Sequence, residues 1–294
     1  MNILSIFDTE DFIFDLLIRA EELKKGRVCR DLSKKTLGLV FEKASTRTRA
    51  SFEVAMTQLG GHSLYLNPRD TQIGRGESIK DTALTLSRYL DGVAIRAISH
   101  KTIAEFAGHA TIPVINALTD LEHPCQALAD LLTIKEKKGG FNVKLAYVGD
   151  GNNVCNSLIG GAALAGMEIA VATPPGYEPN REILNKAKDI SSSTVTVTND
   201  PYEAVASAEV VYTDVWVSMG QEKSEAQRIK DFKDYQINSG LLDMTSNALV
   251  MHCLPAKRGM EITDEVLDGP NSIVFDQAEN RLHLQKALIE KVFR

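Results

Sequence analysis

The sequence predicts an α/β protein built as two doubly wound domains with mainly parallel sheets and an active site in the cleft between them. Short β-rich runs alternate with longer helical segments along almost the whole chain, and one charged, glycine-closed stretch near the middle breaks that alternation. Size agrees: 294 residues with 44% hydrophobic and 24% charged content are enough for two packed cores of ordinary domain size. Alternation of this kind is the pattern of strand–helix–strand units, whose strands run parallel. Ligands in such sheets sit beyond the carboxyl ends of the strands, so the residues that follow each strand are the ones to read for chemistry.

The first half offers strands at 37–41, 63–66, 93–95 and 114–116. The second half offers 144–148, 169–172, 194–198, 210–213, 249–252 and 273–275. Each run is short and mostly apolar, as strands covered on both faces are. Between them lie helical segments at 79–90, 126–138, 180–189 and 264–267. The stretch Glu136-Lys137-Lys138-Gly139-Gly140 ends a long helix and precedes a fresh strand. It sets the expected domains at 1–135 and 136–279, with a C-terminal helix over 280–294 that packs back on the first.

Composition excludes several classes of function. A net charge of −6 draws the protein to neither nucleic acid nor an anionic membrane surface. No apolar run reaches transmembrane length, and residues 1–11 lack the basic-then-apolar pattern of a secretory signal. Cys29, Cys125, Cys155 and Cys253 are scattered without CxxC spacing. That pattern fits a reducing cytoplasm rather than a disulfide framework or a zinc site, and it implies no metal.

Five contiguous residues, Ser45-Thr46-Arg47-Thr48-Arg49, follow the first strand and open a helical pattern. A helix start presents unpaired N–H groups and the positive end of the helix dipole. Hydroxyls and forked guanidiniums added there make a phosphate cradle. An ordinary cap needs one hydroxyl, not three interleaved with two arginines. Arg96 ends the third strand, where a ligand-facing role and a plain surface charge both remain open. His123-Pro124-Cys125-Gln126 opens the next helix, with Pro124 at the favoured first position. His123 and Gln126 at that mouth are able to donate to a carbonyl oxygen.

In the second half, Gly149-Asp150-Gly151-Asn152-Asn153 follows a strand like a dinucleotide-binding turn but lacks the third glycine of GxGxxG. Asn152 and Asn153 supply amides suited to a zwitterionic ligand. Asp214-Val215-Trp216-Val217-Ser218-Met219-Gly220 offers a carboxylate, a hydroxyl and a glycine-bordered backbone that suit an ammonium and a carboxylate, with Trp216 read as packing. In His252-Cys253-Leu254-Pro255, a thiol beside a histidine has either a lowered pKa or the fate of a buried, inert cysteine. Arg281 alone carries little.

Taken together, these motifs resemble the aspartate/ornithine carbamoyltransferase superfamily, and within it the ornithine branch, from Phe41 to Arg281. The Ser-Thr-Arg-Thr-Arg cradle and His-Pro-x-Gln mark the superfamily. Ser218-Met219-Gly220 and His252-Cys253-Leu254-Pro255 mark the branch. The resemblance implies a carbamoyl phosphate site made of Ser45, Thr46, Arg47, Thr48, Arg96, His123, Pro124, Cys125, Gln126, Cys253, Leu254 and Arg281. Gln72 would join it from a neighbouring subunit. Asn153, Asp214, Ser218 and Met219 would hold ornithine. Arg47, Arg96, His123, Gln126 and Cys253 would act in catalysis. The resemblance further implies trimers with shared active sites and no metal or organic cofactor, because carbamoyl phosphate is already activated. Alternatives are a carbamoyltransferase for aspartate or putrescine, a silent binding protein that kept the pocket, and, weakest, a nucleotide-dependent dehydrogenase.

Overall fold

Parallel pairing runs through both sheets of the protein. The computed structural model describes residues 1–67, 76–191, 195–218 and 224–293. The chain divides into two compact units, Met1–Leu128 with Asn280–Arg294, and Ala129–Glu279. The strands are β1 Thr36–Phe41, β2 His62–Leu66, β3 Gly92–Arg96 and β4 Val114–Leu118 in the first unit. In the second they are β5 Lys144–Val148, β6 Glu168–Ala172, β7 Val195–Thr198, β8 Val210–Thr213 and β9 Leu249–His252. Helices in chain order are α1 Ile13–Lys24, α2 Thr46–Gln58, α3 Ile79–Tyr89, α4 His100–His109, α5 Pro124–Lys138, α6 Asn153–Ala165, α7 Arg181–Ile190, α8 Pro201–Val205, α9 Glu225–Asp231, α10 Ser239–Leu242, α11 Asp264–Leu267 and α12 Val274–Val292.

The first sheet has the order β2-β1-β3-β4 and the second β7-β6-β5-β8-β9. In each, the first strand of the sheet has later strands on both sides, so winding reverses between β1 and β3 and between β5 and β8. These are the switch points at which doubly wound sheets bind ligands. Consecutive residues of β1, β3, β5 and β8 are buried, because helices cover both faces and leave no polar side for alternation.

One expected strand is absent. Residues 273–275 do not form a tenth strand: Ser272 makes a single bridge to Val250, and Ile273 donates to the Val250 carbonyl at 3.0 Å. From Val274 the chain is α12. The β-branched Ile273-Val274 pair reads as strand locally, but Val274, Gln277, Arg281, Leu284 and Leu288 are all buried at helical spacing. The edge residue of the expected strand at 194–198 falls outside the described residues, as do Gln72, Met219 and Gly220.

The division between units falls within α5, between Leu128 and Ala129, ahead of the boundary expected at 135/136. Gly139, with φ +78° and its N–H on the Lys135 carbonyl, terminates the helix as a left-handed cap residue. The composition break thus marks where the helix stops, while packing partners change earlier along it. In the first unit, Arg19 of α1 grips Glu290 of α12 through Nε at 2.7 Å and Nη2 at 3.1 Å. Lys24 reaches Asn280 at 2.8 Å, and Lys286 reaches Gln58 at 2.9 Å. Those contacts tie the end of α12 to α1 and α2.

Phe52 of α2 is fully buried and seats the helix whose first turn carries the cradle. Phe52→Ala should cost about 3–5 kcal/mol of stability, read as a lower denaturation midpoint. An unchanged midpoint would contradict this packing.

Candidate active site

At the first switch point, α2 begins at Thr46 with Ser45 as its N-cap, and the Ser45 hydroxyl accepts from the Thr48 N–H at 3.3 Å. The N–H groups of the preceding turn have no intrahelical acceptor. Thr48 is buried, while Thr46 and Arg47 are exposed at this mouth. The two arginines differ. Arg49 bonds Glu53 at 2.8 Å and lies 3.8 Å from the Tyr65 ring centroid, so it serves the helix surface, and Arg47 is the guanidinium of the mouth. Glu42 accepts from the Ile98 N–H at 2.6 Å, and its own N–H donates to the Arg96 carbonyl at 2.9 Å. The loops after β1 and β3 are thereby joined, a role that reading motifs alone did not reveal. Arg96 ends β3 at a register shift against β4, an irregularity of the kind that re-aims a side chain.

His123 and Gln126 lie buried at the start of α5. Burial, and then the charges of Arg281 and Arg96, hold the His123 imidazole well below its ordinary pKa, so the ring is neutral at pH 7. Arg281 of α12 donates to the Gln126 side-chain oxygen, which leaves the amide nitrogen as the donor end of that group. Arg96, His123, Gln126 and Arg281 therefore share one electropositive neighbourhood within the first unit. The Cys125 thiol does not join it. That thiol is fully buried, faces the Asn116 carbonyl at 3.4 Å, and is pushed up to about 11 chiefly by burial.

At the second switch point, Asp214 is the hub. Its Oδ2 accepts from Asn152 Nδ2 at 2.8 Å, and its Oδ1 accepts from the Cys253 thiol at 2.9 Å. Asn152 Nδ2 also lies 3.4 Å from Ser218 Oγ. The ends of β5, β8 and β9 thus meet in one polar cluster within the second unit. Asn152, not Asn153, is the amide that reaches Asp214. The Asn153 oxygen accepts from Val154 N–H at 3.0 Å. The signal for Asn152 was its place one residue before a helix, the N-cap position. Behind the cluster, buried Arg228 donates to Asp150 Oδ2 and to the Trp216 carbonyl, both at 2.8 Å.

Of the two readings left open for Cys253, the lowered pKa does not hold. The His252 ring is fully buried against Glu261, with Nε2 to Oε1 at 3.2 Å, while Cys253 faces Asp214. Burial first, then the Asp214 charge, push the Cys253 thiol well above its ordinary pKa. It is a thiol that donates, not a thiolate. Asp214, His252 and Cys253 bring ligand-type atoms within 4.8 Å of one another. Nδ1 of His252 already accepts from the Leu254 N–H at 2.8 Å, so Nε2 carries the proton toward Glu261. With both ring nitrogens engaged, the imidazole has no lone pair for a metal.

The β5–α6 turn is closed to a nucleotide. A Cβ on Gly151 would stand 2.4 Å from Pro179 N, and the Gly151 N–H bonds the Tyr177 carbonyl at 2.9 Å. The loop at 177–179 occupies the approach a pyrophosphate needs in a dinucleotide fold. The Asn152 side chain also accepts the N–H groups of Val154 and Cys155, which spends the helix mouth on a cap.

Asp214→Asn removes a charge that disfavours the Cys253 thiolate, so the midpoint of the Cys253 alkylation profile should move to lower pH, read by peptide mass spectrometry. No movement would discount the Asp214–Cys253 contact. Gly151→Ala forces a methyl into the backbone at 177–179 and should lower the thermal midpoint of the protein. A variant as stable as the parent would refute that close approach.

Two family models match successive parts of the chain and meet near the end of α5. The family model described as aspartate/ornithine carbamoyltransferase, carbamoyl-P binding domain, matches residues 2–136. The one described as aspartate/ornithine carbamoyltransferase, Asp/Orn binding domain, matches residues 141–292. The ornithine carbamoyltransferase of Methanosarcina mazei is 55% identical, over 100% of this chain and 99% of that protein. A catabolic ornithine carbamoyltransferase of Thermoplasma acidophilum is 52% identical, over 99% of this chain and 98% of that protein. The crystal structure of the Pyrococcus furiosus ornithine carbamoyltransferase is 49% identical and superposes with a TM-score of 0.93, covering 98% of this chain and 96% of that one. With the phosphate-type helix mouth in one unit and the acid–amide–thiol cluster in the other, this chain belongs to the aspartate/ornithine carbamoyltransferase family.

Proposed function

We propose that this protein transfers the carbamoyl group of carbamoyl phosphate to the δ-amine of L-ornithine, giving L-citrulline and phosphate. The observation that carries the reading is the opposite chemistry of the two strand-end clusters. One is cationic with a neutral imidazole, built from Arg96, His123, Gln126 and Arg281. The other is anionic, built around Asp214 with Asn152, Ser218 and Cys253. The first suits a phosphorylated carbonyl compound, the second an ammonium-bearing amino acid.

In this reading Ser45, Thr46, Arg47 and Thr48 bind the phosphate through hydroxyls, N–H groups and a guanidinium. Pro124 and Cys125 contribute backbone at the α5 mouth. Gln72, which the trimer reading supplies from a neighbouring subunit, completes this side. Asp214 takes the α-ammonium of ornithine, while Asn153, Ser218 and Met219 orient the α-carboxylate. A side-chain amine with a free pKa of about 10.4 must shed its proton before attack, and neighbouring guanidiniums favour the neutral form. Its lone pair then attacks the carbamoyl carbon. The C=O electron pair moves onto oxygen, and neutral His123, the Gln126 amide and Arg96 donate to the oxyanion that forms. As the carbonyl re-forms, the C–O bond to phosphate breaks, Arg47 stabilises the departing charge, and the nitrogen gives its extra proton to the departing phosphate. Cys253, held as a thiol, shapes the acceptor side with Leu254 rather than serving as the base. The same groups serve the reverse reaction, phosphorolysis of citrulline. A cytoplasmic homotrimer, or a multiple of trimers, is part of this proposal.

The test offers purified protein carbamoyl phosphate with ornithine, aspartate or putrescine in turn. Citrulline from ornithine alone is expected. Product from another acceptor would replace the ornithine assignment, and no product from folded protein would bring forward a binding role. Arg47→Ala should lower turnover by about 10²–10³-fold at an unchanged thermal midpoint. Unimpaired turnover in that variant would remove Arg47 from the mechanism.

A further inference from the structure

Two fully buried tyrosines of the second unit bring their hydroxyls to the acid–amide–thiol cluster. Tyr147 of β5 and Tyr212 of β8 stack with ring centroids 5.8 Å apart. The Tyr147 hydroxyl donates to the Asp150 carbonyl at 2.9 Å and lies 3.4 Å from Asn152 Oδ1. It serves the β5–α6 turn. The Tyr212 hydroxyl has different neighbours. Asp130 of α5, a carboxylate with 0% exposure, accepts from it through Oδ2 at 3.1 Å. Gln277 Nε2 lies 3.1 Å from the same phenol oxygen and 2.8 Å from Asp130 Oδ1. The hydroxyl also hydrogen-bonds the Cys253 sulfur, whose own proton goes to Asp214 Oδ1 at 2.9 Å. Burial first, and then the Asp130 charge, hold Tyr212 well above the ordinary phenol pKa, so it is a neutral donor. Neither Tyr212 nor Asp130 takes part in the carbamoyl-transfer steps.

A thiol held only through its proton is free to turn about its Cα–Cβ bond, whereas a donor to the sulfur fixes the rotamer. With the sulfur held, Asp214 keeps one steady donor on Oδ1 and Asn152 on Oδ2. We propose that Tyr212 is a positioning residue for ornithine, its hydroxyl anchored by Asp130 and Gln277 and holding the Cys253 sulfur so that the thiol proton points at Asp214. The inference rests on the carbamoyl-transfer reading, in which Asp214 takes the α-ammonium. Phenylalanine at this position keeps the stacking on Tyr147 and removes only the donor. Asp214 and Asp130 are charges that face Cys253, alongside Tyr212 and His252. Against the two carboxylates, the Tyr212 hydrogen bond favours a thiolate.

The experiment compares Tyr212→Phe with the wild type in citrulline kinetics, calorimetric binding of carbamoyl phosphate and the pH profile of Cys253 alkylation. KM for ornithine should rise about tenfold, the scale of one hydrogen bond, with kcat retained, because the lost interaction positions bound substrate. Carbamoyl phosphate affinity should not change. The alkylation midpoint should move to higher pH, opposite to the shift for Asp214→Asn, since the thiolate loses a donor. A wild-type KM for ornithine, an alkylation midpoint that stays or falls, or a parallel loss of carbamoyl phosphate affinity would each overturn the proposal. If Tyr212→Phe does not fold, Asp130→Asn/Tyr212→Phe takes its place, so that no buried carboxylate is left short of a donor. Its reference is then Asp130→Asn, which carries the same charge, and the same outcomes decide. Wild-type protein that makes no citrulline would remove the carbamoyl-transfer reading, and this proposal with it. Citrulline from the wild type with unaltered kinetics in the variant overturns this proposal alone.

Discussion

Every strand in each sheet runs in the same direction, and the rest of the structure depends on that constraint. Parallel pairing sends all the carboxyl ends of a sheet to one edge and forces each connection to cross over through a helix. Where winding reverses, two adjacent crossovers leave on opposite faces and the loops between them part. The cradle after β1 and Arg96 after β3 meet at one such place. Asn152 after β5 and Asp214 after β8 meet at the other. Loops are free to carry chemistry because buried, consecutive apolar strands hold their ends.

The two units use the same βα junction in opposite ways. In the first, the α2 mouth gives one N–H to the Ser45 hydroxyl. In the second, the α6 mouth is closed: the Asn152 oxygen takes two N–H groups, and the 177–179 loop packs on Gly151. A helix mouth attracts anions only while its donors are unspent. Closing it converts a phosphate-type site into a platform for side chains, and Asp214 then sets the local charge.

Charge also governs protonation. Burial first, and then the guanidiniums of Arg281 and Arg96, keep the His123 imidazole neutral, which makes it a donor through one nitrogen rather than a cation competing for phosphate. Burial first, and then the Asp214 carboxylate, keep Cys253 protonated. Each cluster thus holds its titratable group in the uncharged form by burial, with like-charge repulsion adding to it. A neutral donor near a developing oxyanion keeps its full proton-donating capacity without the desolvation cost of a buried cation.

The sequence by itself determined what is local. The cradle is contiguous, and His123-Pro124-Cys125-Gln126 announces a helix start. Alternating short apolar runs disclose the parallel sheets, because strand period, helix caps and proline position are set by neighbours within a few residues. Local signals misled where a β-branched pair opened α12, since only burial at helical spacing identifies that segment. Tertiary structure alone decided the rest. It made Asn152 the amide partner of Asp214, paired His252 with Glu261, and brought Arg281 to Gln126 from the far end of the chain. Protonation states, hydrogen-bond partners and burial depend on groups distant in sequence, and their energies arise through space rather than along the chain.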